Sequence, residues 1–344
     1  VKNAESKTFF ISGAGGSIGA EITRQLVSSN PLTIILFELS EYNLFNIERE
    51  CLAIKDSKNL DTEIIPILGD IRDRSNLEHV FQKFSIDQIY HAAAYKHVPI
   101  VENENNISKA AENNILGTYN LANSAVKHGV HSFVMISTDK AVRPTNIMGA
   151  TKRFAEIIIQ SINSESSNTK FSMVRFGNVI NSSGSVIPLF IDQISRGGPI
   201  TVTHKDVMRY FMTIPEASNL VLQAGEMSSG GEVFILDMGE QVKIFDLARK
   251  LIHLSGRNHA DGDEVNGIEI VEVGLRPGEK MYEELLISGS ELKTENPKIY
   301  KATESFIEPK ILQPILAELK ESIVSFDNKK ILTLLSQHVE GFNR

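Results

Sequence analysis

The sequence predicts an α/β fold built on a parallel sheet, and three observations support this prediction. Short apolar runs alternate with amphipathic helical stretches through the first half of the chain. The runs are of strand length and contain few polar residues, which is typical of strands covered on both faces of a parallel sheet. A glycine-rich segment follows the first run and opens the first helical stretch. With 344 residues, the chain is long enough for one large domain or two coupled ones.

The predicted elements follow in chain order. The strands cover residues 8–12, 33–38, 63–68, 88–91, 133–137 and 171–176. The helices include residues 17–29, 40–54 with Ser40 as N-cap, 107–128 and 147–164, and residues 309–335 close the chain. After about residue 180, glycines and prolines punctuate shorter elements. We therefore predict a Rossmann-type doubly wound parallel sheet over residues 1–180, interleaved with a smaller α/β substrate-binding lobe and closing helices over residues 181–344.

Charge and composition exclude several classes of protein. The 43 acidic residues outnumber the 35 basic ones, and the formal net charge of −8 argues against a nucleic-acid partner. The one cysteine, Cys51, cannot form an internal disulfide, which favours a reducing, cytoplasmic location. No apolar run approaches the roughly 18 residues of a membrane span, so no membrane contact is expected from this segment.

The glycine-rich segment indicates a dinucleotide site. The spacing of Gly13, Gly16 and Gly19 lets the backbone approach a pyrophosphate, whose charge would lie at the start of the helix, beside Ser17 and Ile18. Taken alone, the segment could equally be a flexible turn. Three further strand ends point to the same ligand and favour the dinucleotide site.

The ends of the second, third and fourth strands carry residues that could contact a bound dinucleotide. Glu38 ends the second strand, where a carboxylate accepts hydrogen bonds from the adenine ribose. Asp70 and Ile71 follow the third strand, where Asp can meet the adenine amino group, and Ala92 and Ala93 after the fourth let a cofactor lie close. Because Glu38 would repel a 2′-phosphate, NAD is favoured over NADP.

Longer motifs carry a resemblance to a known family. They are residues 91–102, Asn114-Ile-Leu-Gly-Thr118, residues 137–152, Arg175-Phe-Gly-Asn178, Met208-Arg-Tyr210 and Leu275-Arg-Pro-Gly-Glu-Lys280. In them the chain resembles a bacterial UDP-N-acetylglucosamine 4,6-dehydratase of the polysaccharide-biosynthesis type, in the extended short-chain dehydrogenase/reductase family. The resemblance implies an NAD-dependent hydro-lyase that acts on UDP-GlcNAc for bacterial glycan or glycoprotein sugar biosynthesis.

One position departs from the wider superfamily, whose Tyr-x-x-x-Lys motif is here Met148 and Lys152. A thioether cannot donate or accept a proton at neutral pH. Either the protein is inactive or another group performs the proton transfer. The resemblance is to the subgroup with Met in place of Tyr, which favours the second interpretation and a C5-retaining reaction that yields UDP-2-acetamido-2,6-dideoxy-D-xylo-hexos-4-ulose.

The resemblance assigns the catalytic set to Thr138, Asp139, Lys140 and Lys152, with Lys152 and Asn114 also at the cofactor. A 4,6-dehydratase oxidises C4, eliminates water across C5 and C6, and returns the hydride to C6. By resemblance Asp139 is the acid for the C6 hydroxyl and Lys140 the base at C5. These roles need a protonated Asp139 and a neutral Lys140, and a surface ion pair is the alternative.

Substrate contacts are expected around this centre. Lys96 and His97 follow the fourth strand and would face the sugar, with Asn178 on the other side. Guanidinium groups bind phosphate in bidentate fashion, so Arg209 and Arg276 are candidates for the UDP diphosphate. Glu279 would accept hydrogen bonds from the ribose. The last three are equally compatible with surface salt bridges.

Two other functions stay open, and no metal site is expected. A UDP-sugar 4-epimerase needs no elimination pair, so Met148 together with Asp139 and Lys140 argues against it. A non-catalytic NAD-binding sensor suits the missing tyrosine but not the intact Asp139, Lys140 and Lys152. Relatives pair through residues 107–128 and 147–164, so a homo-oligomer is expected. The resemblance also allows this segment to be the soluble, cytoplasm-facing part of a longer inner-membrane protein.

Overall fold

The computed structural model describes residues 4–260, 267–284 and 291–344. Its strands in chain order are β1 (Thr8–Ser12), β2 (Thr33–Glu38), β3 (Glu63–Leu68), β4 (Gln88–His91), β5 (Ser132–Ile136), β6 (Lys170–Arg175), β7 (Asn178–Val179), β8 (Ile200–Val202), β9 (Met208–Arg209), β10 (Phe211–Met212), β11 (Val233–Leu236), β12 (Val242–Lys243), β13 (Ile270–Glu272), β14 (Leu292–Lys293) and β15 (Ile299–Ala302). Its helices are α1 (Ser17–Val27), α2 (Glu41–Lys58), α3 (Arg74–Lys83), α4 (Val98–Val101), α5 (Ile107–Ala111), α6 (Thr118–Lys127), α7 (Ile147–Glu165), α8 (Val186–Ser195), α9 (Ile214–Met227), α10 (Ile244–Leu254), α11 (Pro309–Val324) and α12 (Asn328–His338).

One sheet of nine strands organises the fold, in the order β14-β15-β11-β6-β5-β4-β1-β2-β3. The seven strands from β11 to β3 in that order are parallel to one another. Strand β15 is antiparallel to β11, and β14 is antiparallel to β15. The strand order reverses between β1 and β4, the point at which doubly wound sheets bind ligands beyond their carboxyl ends. The predicted Rossmann-type sheet is confirmed.

The six predicted strands are all present, and two are displaced by one residue. Strands β5 and β6 each begin and end one residue earlier than predicted. The amide of Ser137 still donates to the carbonyl of Val174 at 2.8 Å, but its hydroxyl turns away to Glu156. Strand ends are defined only to within a residue or two, so the register of the sheet is as expected.

The helix predicted over residues 107–128 is interrupted. A π-helical segment, Glu112–Gly117, separates α5 from α6. A side chain at Gly117 would approach the Cδ1 atom of Ile71 to 2.7 Å, so this turn packs tightly beneath the end of β3. Single π-helical turns inside α-helices are frequent at functional sites, and this one contains Asn114. Ser40 caps α2 as predicted, since its hydroxyl accepts from the amide of Asn43.

Helices cover both faces of the sheet. Apolar residues of α1, α2 and α9 form one core with the strands, and those of α3, α6 and α7 form the other. Cys51 of α2 is fully buried in the first core, and burial raises the pKa of its thiol to about 12.

The closing helices form a third layer. The closing helices predicted over residues 309–335 are α11 and α12, and the turn between them contains Phe326, whose φ of 57° is left-handed. Both pack on α7 and α5. Helix α7 is therefore buried on all sides from Ile147 to Ser161.

Residues after 180 contribute to two places. They supply strands β11, β15 and β14 to the large sheet and helix α9 to one of its faces. They also form a separate apolar cluster from α8, β8, α10 and neighbouring residues, beside which β13 pairs with β8. None of the helices within the described ranges is both long and apolar enough to cross a membrane.

Candidate active site

A cleft of about 630 Å³ opens at the carboxyl ends of the central strands. Many residues that the sequence predicted for the site line it: Gly16, Ser17, Ile18, Gly19, Ala92, Lys96, His97, Thr138, Lys140, Lys152 and Asn178. They come from the segments after β1, β4, β5 and β6 and from α7. The topology therefore brings the predicted cofactor and catalytic residues to one place.

The glycine-rich loop can carry no side chains at its two ends. Gly13 has a φ of 68°, and a Cβ there would lie 2.8 Å from the backbone nitrogen of Ala93. A Cβ on Gly19 would lie 2.0 Å from the carbonyl oxygen of Gly13. Gly16 is the N-cap of α1, and no side chain caps this helix. The N–H groups at the start of α1 thus face the cleft and fit the negative charge of a pyrophosphate.

The predicted adenosine residues form the rim behind this loop. Glu38 is buried, and its two carboxylate oxygens accept from the amides of Gly15 at 2.9 Å and Ser40 at 3.0 Å. Asp70 accepts hydrogen bonds from the guanidinium of Arg72, which lower the pKa of its carboxyl although burial alone would raise it. Glu38 thus fixes the shape of the loop, and the contacts of Glu38 and Asp70 with an adenosine group stay a prediction.

The elimination residues predicted from resemblance meet after β5. The Nζ atom of Lys140 lies 3.0 Å from Oδ1 of Asp139 and 3.1 Å from Oδ1 of Asn178. Thr138 caps the turn by accepting from the amide of Lys140, and its hydroxyl donates to Oδ1 of Asp139 at 2.9 Å. The other carboxylate oxygen of Asp139, which is fully buried, has no partner in the described part of the chain. Burial favours the neutral amine of Lys140, but the carboxylate of Asp139, together with Glu283 whenever that group is ionised, outweighs burial and raises its pKa.

Helix α7 presents Met148 and Lys152 to the cleft, one turn apart. Met148 is 3% exposed. The Nζ atom of Lys152 donates to the carbonyl of Ile136 at 2.7 Å, and burial lowers its pKa to about 8. Asn114 ties this helix to the segment after β4, since its amide nitrogen donates both to Thr151 and to the carbonyl of Tyr95, each at 3.0 Å.

The loop over residues 182–185 closes one side of the cleft. A Cβ on Gly184, whose φ is 69°, would lie 2.5 Å from Cε1 of His97. The amide of Ser183 donates to the hydroxyl of Ser17 at 3.2 Å. Lys96 also lines the cleft, and burial lowers the pKa values of both Lys96 and His97.

The three residues predicted for the UDP group form a cluster beside the cleft. The buried guanidinium of Arg209 donates to Glu279 at 3.0 Å and to the carbonyl of Met208 at 2.7 Å. Glu279 also accepts from the hydroxyl of Thr203 and from the amide of Arg276, whose side chain is exposed. The three residues are close together, and their contacts with UDP stay a prediction.

Sequence reasoning missed Glu283. Its side chain is 4% exposed, and Oε1 lies 3.7 Å from Nζ of Lys140 and 3.8 Å from Nε of Arg209. Burial raises the pKa of its carboxyl. The available signal was a second glutamate four residues after Glu279 in the same short segment, but the spacing alone does not indicate an approach to Lys140.

Known proteins resemble the chain over most of its length. It is 53% identical over 281 residues to capsular polysaccharide biosynthesis protein CapD of Staphylococcus aureus, covering 82% of this chain and 45% of CapD. It is 50% identical over 300 residues to probable polysaccharide biosynthesis protein EpsC of Bacillus subtilis, covering 86% of this chain and 48% of EpsC. The chain thus spans about half the length of these two relatives. A UDP-glucose 4-epimerase of Rickettsia canadensis is 32% identical over 292 residues, covering 84% of this chain and 80% of the epimerase.

Two solved structures share the fold. Pen from Bacillus thuringiensis superimposes with a TM-score of 0.77 at 35% identity, covering 89% of this chain and 92% of Pen. A double mutant of the dTDP-glucose 4,6-dehydratase DesIV from Streptomyces venezuelae, with NAD and DAU bound, superimposes with a TM-score of 0.64 at 22% identity. The match covers 80% of this chain and 87% of DesIV. The family model described as polysaccharide biosynthesis protein matches residues 9–304. The chain therefore belongs to this family of polysaccharide biosynthesis proteins.

Proposed function

We propose that the chain is a nucleotide-sugar-modifying enzyme of the extended short-chain dehydrogenase/reductase family, and more closely an NAD-dependent UDP-GlcNAc 4,6-dehydratase that retains the C5 configuration. The observation that carries the proposal is the pair of buried Asp139 and half-buried Lys140, 3.0 Å apart beside Thr138 and Asn178. Met148 lies in the same cleft, at the position where an epimerase of this superfamily would need a proton-transferring phenol.

The cleft fits NAD. The uncapped N-terminus of α1 would hold the pyrophosphate, and Glu38 would accept from the adenine ribose. Lys152 would hold the nicotinamide ribose, and its charge would lie near the C4 hydroxyl of the sugar. When bound, NAD supplies a hydride acceptor for C4 and a hydride donor for C6. The dehydratase DesIV, whose fold is similar, carries bound NAD.

The pair of Asp139 and Lys140 can perform the elimination with one shared proton. Because Nζ and Oδ1 are 3.0 Å apart, transfer of a proton from the Lys140 ammonium to Asp139 creates the base and the acid together. Lys140 then removes the C5 proton, and the electrons of that C–H bond form the C5–C6 double bond. The C6–O bond breaks as Asp139 protonates the leaving hydroxyl, so one water departs and the ion pair is restored. Hydride return to C6 needs a proton at C5, which the Lys140 ammonium can supply before it takes up a proton from solvent.

The C4 hydroxyl needs another proton acceptor because the Met148 thioether cannot serve. The Thr138 hydroxyl lines the cleft and already donates to Asp139 at 2.9 Å. A proton left on Asp139 would block the transfer from Lys140, so the C4 hydroxyl proton has to reach solvent, and the Thr138 hydroxyl, which lines the open cleft, can relay it there. The positive charge of Lys152 would favour this step by lowering the pKa of the sugar hydroxyl.

A second candidate function is a UDP-sugar 4-epimerase, because the Rickettsia relative carries that name. An epimerase moves one proton and one hydride at C4 and has no use for a base at C5. The Asp139–Lys140 pair therefore favours the dehydratase, whereas Met148 does not discriminate, because both enzymes must take a proton from the C4 hydroxyl.

Incubation of the purified protein with UDP-GlcNAc, followed by mass spectrometry of the product, tests the proposal. The dehydratase yields a product lighter by one water. An altered sugar of unchanged mass would indicate the epimerase, and no reaction would indicate a non-catalytic NAD-binding sensor. Either result would overturn the proposal.

Two variants test the assigned roles. Lys140→Ala should fail to exchange the C5 proton with deuterated water yet still bind UDP-GlcNAc, and Asp139→Asn should slow water loss. General acids and bases contribute roughly 10²–10⁴ in rate, so a loss below about tenfold in either variant would contradict its role. Asp192→Asn is the matched control, because this exposed residue pairs only with Arg196 among the described ion pairs.

A further inference from the structure

Glu283 is a buried carboxyl group without a hydrogen bond in the described part of the chain. Its Oε2 atom has no polar partner. Its Oε1 atom approaches the nitrogens of Lys140 and Arg209 only to 3.7 Å and 3.8 Å, beyond hydrogen-bonding distance. A buried carboxylate that accepts no hydrogen bond is costly, and such a group usually holds its proton instead.

The charged groups around Glu283 do not reverse this preference. Lys140, Arg209 and Lys280 favour its ionised form and Asp139 opposes it, but burial is the largest influence and raises the pKa. Two of the three cations already have closer partners. Arg209 donates to Glu279 at 3.0 Å, and Lys280 donates to the carbonyl of Val142 at 3.0 Å.

The charge of Glu283 matters because of what Lys140 must do. In the elimination, the ammonium of Lys140 must first give a proton to Asp139. An ionised Glu283 attracts Lys140 more strongly than it repels Asp139, so it would hold the proton on Lys140. A neutral Glu283 leaves Asp139 as the one carboxylate facing Lys140 among the described residues, and the proton can then move between two groups 3.0 Å apart.

We propose that Glu283 is a positioning residue that stays a neutral carboxylic acid in the working enzyme, and that its ionisation slows the elimination by keeping Lys140 protonated. This inference rests on the proposed function, in which Lys140 is the C5 base. A lysine base alone would gain activity as the pH rises. With Glu283 present, elimination instead falls as the pH rises through the raised pKa of this carboxyl.

The kinetic test compares Glu283→Gln with Glu284→Gln across neutral and alkaline pH, with C5 proton exchange and water loss as the rates. Glutamine keeps the shape of the side chain and cannot ionise. Glu284 is the matched control because it is exposed and pairs with Arg143. The wild type and Glu284→Gln should lose rate as the pH rises past the pKa of Glu283, by up to about tenfold per pH unit. Glu283→Gln should keep its rate there.

Any alkaline loss from deprotonation of Lys152 is common to the three proteins and cancels in their ratios. A ratio of Glu283→Gln to wild type that does not change with pH would overturn the proposal, since a purely structural role lowers the rate equally at every pH. Each variant is compared with the wild type in bound NAD content and thermal unfolding.

Infrared difference spectroscopy tests the charge of Glu283 without relying on the reaction. At neutral pH, the wild type minus Glu283→Gln spectrum should contain the carbonyl band of a protonated carboxylic acid, and the wild type minus Glu284→Gln spectrum should not. Absence of the band would overturn the inference whatever the enzyme catalyses. If the band is present but the wild type removes no water from UDP-GlcNAc, the proposed function fails, and with it the role assigned to the neutral acid.

Discussion

Met148 lies where a catalytic phenol would be expected, and its nearly buried thioether lines the cleft. Met148→Leu conserves volume, and such swaps usually cost less than about 1.5 kcal/mol even in cores. We expect this variant to keep most of its turnover of UDP-GlcNAc. Lys152→Ala removes a positive charge that we place near the C4 hydroxyl and should lose far more. Turnover is measured after each variant is shown to carry NAD, and equal losses would contradict the account.

Lys152 also makes stability depend on pH. Burial lowers its pKa from 10.5 to about 8, so the folded protein releases this proton before the unfolded chain does. Stability therefore rises with pH between those two values, by about 3 kcal/mol in total. In Lys152→Met this rise should be absent. Urea unfolding of both proteins at several alkaline pH values measures it, and parallel curves would show that the amine of Lys152 is not perturbed by burial.

At the scale of elements, a buried cluster of four charges joins β6, α7 and the segment before α11. Arg175 donates to both Glu156 and Glu304, and Arg153 lies 3.0 Å from Glu304. Glu156 in turn accepts from the hydroxyl of Ser137 at 2.6 Å, and Ser137 directly precedes Thr138 and Asp139. The cluster thus ties the closing segment to the helix that carries Lys152.

Removal of one carboxylate from this cluster should be costly. Glu304→Gln leaves two buried guanidinium groups with one carboxylate, and breaking a buried pair in this way typically costs 3–5 kcal/mol, so we expect a loss of about that size. Asp192→Asn, which removes an exposed partner of Arg196, should change stability by less than about 0.5 kcal/mol. The two free energies of unfolding are measured in urea. A similar small loss in both would show that the cluster is not coupled to folding.

At the scale of the whole molecule, the sequence predicted the parts of the fold that depend on local patterns. The strands follow from short apolar runs, and the glycine loop follows from a spacing of a few residues. The π-helical turn at Asn114 and the position of Glu283 could not be predicted in the same way. Each depends on contacts between distant segments, namely Ile71 against Gly117 and Glu283 near Lys140.

The predicted homo-oligomer requires that the pairing helices be exposed on the surface of one chain. The resemblance assigned pairing to residues 107–128 and 147–164, but α11 and α12 of the same chain cover α7. No local pattern indicates this, because the tail and α7 are far apart in the sequence. Pairing of two copies stays a prediction, and on this structure the covered face of α7 would not take part in it.

The central claim is that one hydride leaves C4 and returns to C6 while one water departs. UDP-GlcNAc deuterated at C4, incubated with the purified protein and no added reductant, tests it most directly. The account predicts a product lighter by one water that carries the deuterium at C6, with repeated turnover. A product that has lost no water, loss of the label to solvent, or a requirement for stoichiometric reductant would contradict it.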